Sequence, residues 1–369
     1  MKVAILGTRG IPNNYGGFEQ FAEYLSKGFV DGGHEVFVYT SHDHPYQKKT
    51  WNGVNLIHIY NPENKTGTWG QFIYDLLCIV DSRKRKFDVI LQLGYTSSSI
   101  WGRLLPGRAL IVTNMDGLEW KRTKYSKKVQ KFLHYAEKLA VKTSDHLVAD
   151  SVGIQSYLFK KYAVNSKYIP YGTHIFNEPD PAAINTYDVT AHSYNMLIAR
   201  LEPENNIETI LDGVVMSKSK LPLLVIGNYE NSFGAYLIRK FESDKRIRFL
   251  GSNYDISGLN NLRYYSTIYF HGHSVGGTNP SLLEAMASSS LICAHQNEFN
   301  NAILGEDAFY FSCKEDVTIL LDKQVSKGDF LNYVNANLSK IEALYLWPKI
   351  IKEYEDYFVG LIAAKQNKK

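Results

Sequence analysis

HGHSVGGTNPSLLEAMASS, residues 271–289, is the stretch on which the reading of this chain turns. An apolar run, Thr267–Phe270, leads into it as a strand, and a loop of small residues with Gly276, Gly277 and Thr278 follows. Pro280 stands where a helix can begin, since its missing N–H is one that the first helical turn leaves unpaired anyway. Glu284 falls on the first turns of that helix. Loop amides of this kind can hold a diphosphate, while a carboxylate one turn into the helix can accept hydrogen bonds from ribose hydroxyls. The competing reading of an isolated helical Glu is a solvated surface residue.

Working outward, strands and helices alternate along nearly the whole chain, the pattern of parallel α/β layers. In the first half Val3–Leu6 reads as a buried strand, Phe18–Val30 as a helix and Val36–Tyr39 as the next strand. Further strands are expected at Asn55–Ile59, Val89–Leu91, Leu110–Thr113, His146–Ala149 and Lys167–Ile169. Helices are expected near 71–82, 96–105, 124–143 and 151–161. The stretch Phe176–Thr190 (FNEPDPAAINTYDVT), with two prolines and several small or polar residues, interrupts this series. A second one follows, with strands at Asn195–Ala199, Leu223–Ile226, Ile247–Leu250, Thr267–Phe270 and Leu291–Ala294. Its helices are expected near 206–217, 232–243, 256–264 and 280–288. The expectation is two Rossmann-like domains, 1–176 and 190–346, with a terminal amphipathic helix from Trp347 docking on one or both.

Composition excludes several classes. The chain has 369 residues, 44% hydrophobic and 21% charged, which fits a folded globular protein and not a disordered or collagen-like chain. Cys78, Cys293 and Cys313 are far apart with no CxxC spacing, so structural zinc and a disulfide scaffold are not expected and a cytoplasmic setting is. The longest apolar run, Phe72–Val80, is broken by Asp75, and neither a signal peptide nor a membrane span is expected. The formal charge of +4 is unevenly spread: residues 1–175 hold 23 Lys and Arg against 14 Asp and Glu, while the remainder holds 18 against 23.

Two more stretches bear on chemistry. GTRGIPNNYGGFE, Gly7–Glu19, places four glycines and Tyr15 between a strand and a helix, and the helix start at Gly16-Gly17 offers N–H groups and a positive dipole end to an anion. It is neither GxGxxG nor a P-loop, which disfavours a dinucleotide oxidoreductase; a turn that only links strand to helix is the competing reading. ARLEPENNIETIL, Ala199–Leu211, puts Arg200 directly after the first strand of the second series. Ligands of open α/β sheets bind beyond the carboxyl ends of the strands, and a guanidinium there suits a phosphate. A surface Arg paired with Glu202 or Glu204 is the alternative.

Together with IPYG (Ile169–Gly172), FLGSNYD (Phe249–Asp255) and PSLLEAMA (Pro280–Ala287), these stretches resemble retaining family 4 glycosyltransferases of GT-B fold over essentially the whole chain. The opening glycine loop and NMDGLEWKRTKYS (Asn114–Ser126) resemble more narrowly the bacterial β-1,4-rhamnosyltransferases of capsule and cell-wall polysaccharide synthesis. The resemblance implies two domains facing across a cleft, the first for the acceptor and the second for a nucleotide sugar, with the last helix crossing back to the first. It implies that Glu284 binds the nucleotide ribose and Arg200 the diphosphate, with Gly16, Gly17, Asn205, Gly251, Gly276, Gly277, Thr278 and Asn279 also at the donor. Two family positions differ. The first glutamate of the E-x7-E pattern is Gly276, and the usual phosphate-binding lysine is Asn205. Both losses fit a deoxysugar donor such as dTDP-rhamnose. Asp116 stands where relatives carry a His-Asp pair and is the leading catalytic candidate, with Glu119 second; an N-cap aspartate is the rival reading of Asp116. No metal is expected.

Lys121–Lys142 carries eight Lys and Arg and one Glu, with apolar residues at helical spacing. A solvated amphipathic helix is the plain reading. The sharper one is a helix lying on an anionic membrane, with Lys121, Arg122, Lys124, Lys127 and Lys128 at the lipid or at a polyprenyl-diphosphate-linked saccharide acceptor, the protein peripheral on the inner face of a bacterial membrane. Arg83–Lys86 extends the basic surface. A nucleic-acid-binding protein is the non-enzyme alternative, with no recognisable module to support it. A sugar epimerase or phosphorylase of the same architecture, and a catalytically silent relative, complete the competing readings.

Overall fold

The computed structural model describes residues 1–122, 125–253 and 255–367. Two compact units divide the chain. The first comprises Met1–Trp120, Lys127–Gly172 and Trp347–Lys369; the second comprises Lys121–Ser126 and Thr173–Leu346.

The first unit is built on an eight-stranded sheet: β1 (Lys2–Leu6), β2 (Glu35–Ser41), β3 (Thr50–Trp51), β4 (Val54–Ile59), β5 (Val89–Leu93), β6 (Leu110–Asn114), β7 (His146–Ala149) and β8 (Lys167–Tyr168), in the order β3-β4-β2-β1-β5-β6-β7-β8. All neighbours are parallel except β3 and β4, which form a hairpin. Asn52 and Gly53 make its turn with φ of 45° and 83°, the positive values that a two-residue hairpin loop requires. That Asn-Gly signal went unread in the sequence expectation. Strands buried on both faces read as continuous apolar runs, and β5 and β6 are buried at every residue.

The expected helix at 96–105 is a 3-10 helix, Ser98–Leu104, stopped by Pro106, and the one expected at 124–143 runs Lys127–Thr143. The last helix extends from Trp347 to Gln366 and belongs to the first unit. Trp347, Ile350, Tyr354 and Phe358 face inward at 0–2% exposure, the three-to-four-residue spacing of one helix face. Trp347 meets Phe21, Tyr24 and Tyr171 at 4.8–5.8 Å between ring centroids. Gly172 is required there: a Cβ would lie 2.5 Å from the Trp347 ring. Tyr171 donates its hydroxyl to the Gly17 carbonyl (3.1 Å), so the IPYG motif ties the glycine-loop helix to the terminal one.

The second unit carries a six-stranded, wholly parallel sheet: β9 (Asn195–Ile198), β10 (Leu223–Ile226), β11 (Ile247–Gly251), β12 (Tyr269–His271), β13 (Ile292–His295) and β14 (Phe309–Phe311), in the order β11-β10-β9-β12-β13-β14. The order reverses direction beside β9, the strand that leads into Arg200. One core fills the helix-covered side, from Leu197, Leu211, Val225, Phe270 and Cys293 to Phe311 and Val317. Glu298–Leu304, β14, Lys314–Asp322 and Leu331–Lys340 were not expected from sequence; the strand has only three residues, too few to show an alternation.

One buried carboxyl in the first unit has a measurable consequence. Asp75 lies 5% exposed with the Ser97 hydroxyl donating to it. Burial raises it to about 7, against the Ser97 bond and the Arg9 charge, which lower it. The unfolded carboxyl releases its proton near its ordinary value, so between pH 4 and 7 the folded state binds more protons. Stability therefore falls with rising pH across that interval, by about 1.4 kcal/mol per unit at most. Asp75→Asn is expected to remove this slope and to leave the variant more stable than wild type above pH 7, as read by urea denaturation at pH 4.5, 6 and 7.5.

Candidate functional site

In the second unit, two strand-to-helix connections meet. Arg200 follows β9 and is exposed; among the described residues its guanidinium has no ion-pair partner. Its carbonyl accepts the Asn205 side-chain amide at 2.7 Å and the Glu202 N–H at 2.8 Å, which fold residues 200–206 into a closed loop. Asn205 is 3% exposed, its side chain turned inward to hold the loop. The loop is stitched to the one after β12. Asn206 donates to the Gly272 carbonyl (2.8 Å), and Ser274 donates through its hydroxyl (2.7 Å) and its N–H (3.2 Å) to the Glu204 carbonyl. The approach is close enough to demand glycine at 272, where a Cβ would lie 2.0 Å from the Asn205 oxygen.

Glu204 is a buried carboxylate that pairs with Arg122 at 3.6 Å, within the second unit, which includes Lys121–Ser126. The Arg122 side chain, expected at the lipid or the acceptor, is 12% exposed. Lys124 lies outside the described residues. Lys121, Lys127 and Lys128 are exposed.

Sequence reasoning assigned no role to the two histidines that frame this loop. His271 is 1% exposed and stacks on His273 with centroids 4.5 Å apart. Burial pushes His271 down to about 3, and neither of its ring nitrogens has a partner among the described residues. His273 is held well below its ordinary range by burial, then by His271, Arg200 and Arg122. Both rings are neutral at physiological pH. The short HGH spacing at a strand end was the available signal.

Beyond this loop, Gly276 has φ 136° and open space around it, so its backbone and not crowding disfavours a glutamate at that position. Thr278 is buried, and Asn279 caps the helix Pro280–Ala287 by accepting the Ser281 N–H at 3.0 Å. Glu284 is held by Arg263 at 2.5 Å, and Arg263 is almost completely buried. Gly251 has φ 79° beside the Tyr229 ring, and its carbonyl accepts from Gly227.

In the first unit, Asp116 has φ 51°, a conformation that Asp tolerates better than most residues. Its N–H donates to the Asn114 side chain (3.0 Å), whose amide in turn donates to the Tyr354 hydroxyl at 3.3 Å. Asp116 is not at an N-cap: the next helical turn is Glu119–Lys121, a 3-10 helix that contains Glu119. Trp120 donates its Nε1–H to Glu137 (3.1 Å), which is buried and also accepts from Tyr157, Tyr162 and Lys161. The one acidic residue of the basic segment is thus an internal hub.

At the glycine loop, Gly16 is the N-cap of Gly17–Asp31, with no side-chain cap. Glu19 faces this helix start: one oxygen accepts the Arg9 N–H at 2.8 Å, and a Cβ on Gly16 would lie 3.5 Å from the other. Burial raises the Glu19 carboxyl above its ordinary value. An anion at Gly16-Gly17 would meet this carboxylate, which the sequence reading did not anticipate. Tyr15 is 58% exposed with the Arg9 guanidinium 3.9 Å above its ring.

Residues 99–174 match the family model described as a domain of unknown function (DUF1972). No curated protein matches the sequence. Solved structures do match. Sucrose-phosphate synthase from Thermosynechococcus elongatus is similar at 16% identity and TM-score 0.80, covering 98% of this chain and 99% of its own. HepE from Anabaena, in complex with UDP-glucose, is similar at 14% identity and TM-score 0.78, covering 97% and 99%. WaaG, a glycosyltransferase of lipopolysaccharide biosynthesis, is similar at 12% identity and TM-score 0.75, covering 98% and 100%. The chain therefore has the GT-B fold, with its two parallel-sheet units.

The Arg263–Glu284 pair makes a direct prediction. Glu284→Ala leaves a buried guanidinium without its carboxylate and is expected to lower stability by about 3 kcal/mol in chemical denaturation. Glu284→Gln, which keeps an acceptor for Arg263, is expected to lose clearly less.

Proposed function

We propose that the protein is a retaining, metal-independent glycosyltransferase that moves L-rhamnose from dTDP-rhamnose to a lipid-diphosphate-linked saccharide in bacterial polysaccharide synthesis. The observation that carries the glycosyltransferase reading is the placement of Arg200 on a loop locked to the end of β12, in a chain of GT-B fold with Glu284 held on the following helix. The second unit, with Arg200, Gly251, Gly277–Asn279 and Glu284, is assigned to the nucleotide sugar. The first unit, with Asp116, Glu119 and Tyr15, is assigned to the acceptor.

In this reading the bond from the sugar C1 to the diphosphate breaks as the bond from C1 to the acceptor oxygen forms on the same face. The acceptor proton passes to the departing phosphate oxygen. The protein's part is to fix that geometry and to stabilise the charge growing on the diphosphate. The inward turn of Asn205 and the positive-φ glycine at 276, where a side chain is disfavoured, support a donor held by fewer polar contacts, which favours a deoxysugar. The HepE complexes with UDP and UDP-glucose favour a second reading, a UDP-hexose donor.

The exposed lysines of Lys127–Thr143 support a peripheral position on an anionic membrane face; no helix among the described residues is long and apolar enough to cross a membrane.

Product analysis with a panel of dTDP- and UDP-sugars and a lipid-linked GlcNAc or glucose acceptor tests the reaction; failure with every donor would sink it. Asp116→Asn and Arg200→Ala are each expected to lower turnover by about a hundredfold or more with the melting temperature retained, and wild-type rates from both would remove the residue assignments. Sedimentation with liposomes is expected to rise with their anionic lipid content. Binding that ignores lipid charge would contradict the membrane placement.

A further inference from the structure

The loop that presents Arg200 poses an electrostatic problem. Between residues 200 and 206 it carries one cation, Arg200, and two carboxylates, Glu202 and Glu204. Asn205 adds no charge, and its side chain is committed to the Arg200 carbonyl. A diphosphate placed here would meet more negative than positive charge from the loop itself, with Glu204 buried where screening by water is weakest.

The geometry supplies a second cation from outside the loop. Arg122 approaches Glu204 to 3.6 Å, and the Glu204 carbonyl is bonded to Ser274, the residue after His273. Arg122 is thus paired with a residue of the seven-residue loop that begins at Arg200, and that loop is itself bonded to the β12 end. We propose that Arg122 is the second diphosphate-binding cation of this site, supplying beside Arg200 the charge that Asn205 does not. The inference rests on the glycosyltransferase reading only for the identity of the ligand. A guanidinium has five N–H donors in a planar fork, so a carboxylate on one side orients it toward a phosphate on another. His273 independently registers both arginines, whose positive charges act on its ring along with burial and His271.

A purely structural Arg122, present only to neutralise Glu204, makes a different prediction, and calorimetric titration of the full chain separates the two. The ligands are inorganic pyrophosphate, UDP and dTDP; the variants are Arg122→Gln, Glu204→Gln and the double variant. If Arg122 binds the diphosphate, Arg122→Gln weakens all three ligands by roughly ten- to a hundredfold, the range for hydrogen bonds to charged groups. Glu204→Gln binds at least as well as wild type, and the double variant stays weak. The double variant removes both charges of this pair, so it carries the test if Arg122→Gln alone does not fold. Wild-type affinity in Arg122→Gln, or its recovery in the double variant, overturns the proposal. Pyrophosphate binding that depends on Arg122 in a protein that binds neither nucleotide would retain the anion site and refute the nucleotide-sugar reading. No binding of any ligand by wild type overturns both.

Discussion

The first unit depends on the return of the terminal helix. Trp347, Ile350, Tyr354 and Phe358 bury one face of it against the glycine-loop helix, and two glycines set the closeness of that contact. A Cβ at Gly28 would collide with Ile351, and one at Gly172 with the Trp347 ring. Such packing is worth several kcal/mol for each large side chain buried, and it has a local effect as well. The Tyr354 hydroxyl holds Asn114, and Asn114 holds the turn in which Asp116 takes its left-handed conformation. The candidate catalytic carboxylate is therefore oriented by a residue 238 positions later in the chain. His34 and Glu355, paired at 2.8 Å, fasten the same helix nearer the other end of the sheet.

The second unit uses backbone proximity in place of aromatic burial. Gly272 lies against the Asn205 carbonyl, and three hydrogen bonds from Asn206 and Ser274 join the two loops, the first of them braced internally by Asn205. Asn205 is a loop brace, and Gly276 occupies a backbone conformation that a side chain disfavours.

The parallel α/β layers were legible because buried strands such as Val3–Leu6, Val89–Leu91 and Leu223–Ile226 are continuous apolar runs set between amphipathic helices. The elements between His295 and Leu346 were not anticipated, although their helices are about as long as Ile207–Met216 and Pro280–Ala287, which were. Of the site, Arg200, Asp116 and Glu284 could be singled out by their positions after strands and on a helix turn. Glu19, Arg122, Glu204, Arg263 and the two histidines could not, because their roles arise from partners distant in sequence. Glu137 is the sharpest case: in sequence it is one acid among eight basic residues, yet in the fold it is buried beneath Trp120, Tyr157, Tyr162 and Lys161.

What the sequence by itself determined is the class of architecture and where glycine and proline break it into loops, because hydrophobic period, glycine and proline positions act locally. The +9 and −5 halves of the charge were also there to be counted. Only the tertiary structure decided how those charges are used. It buries Glu137 and Glu204, turns Asn205 inward, sets Glu19 at the glycine-loop helix start and brings Arg122 to the loop of Arg200. A charge's effect depends on what surrounds it within a few ångströms, and in a folded chain those neighbours are chosen by packing and not by order.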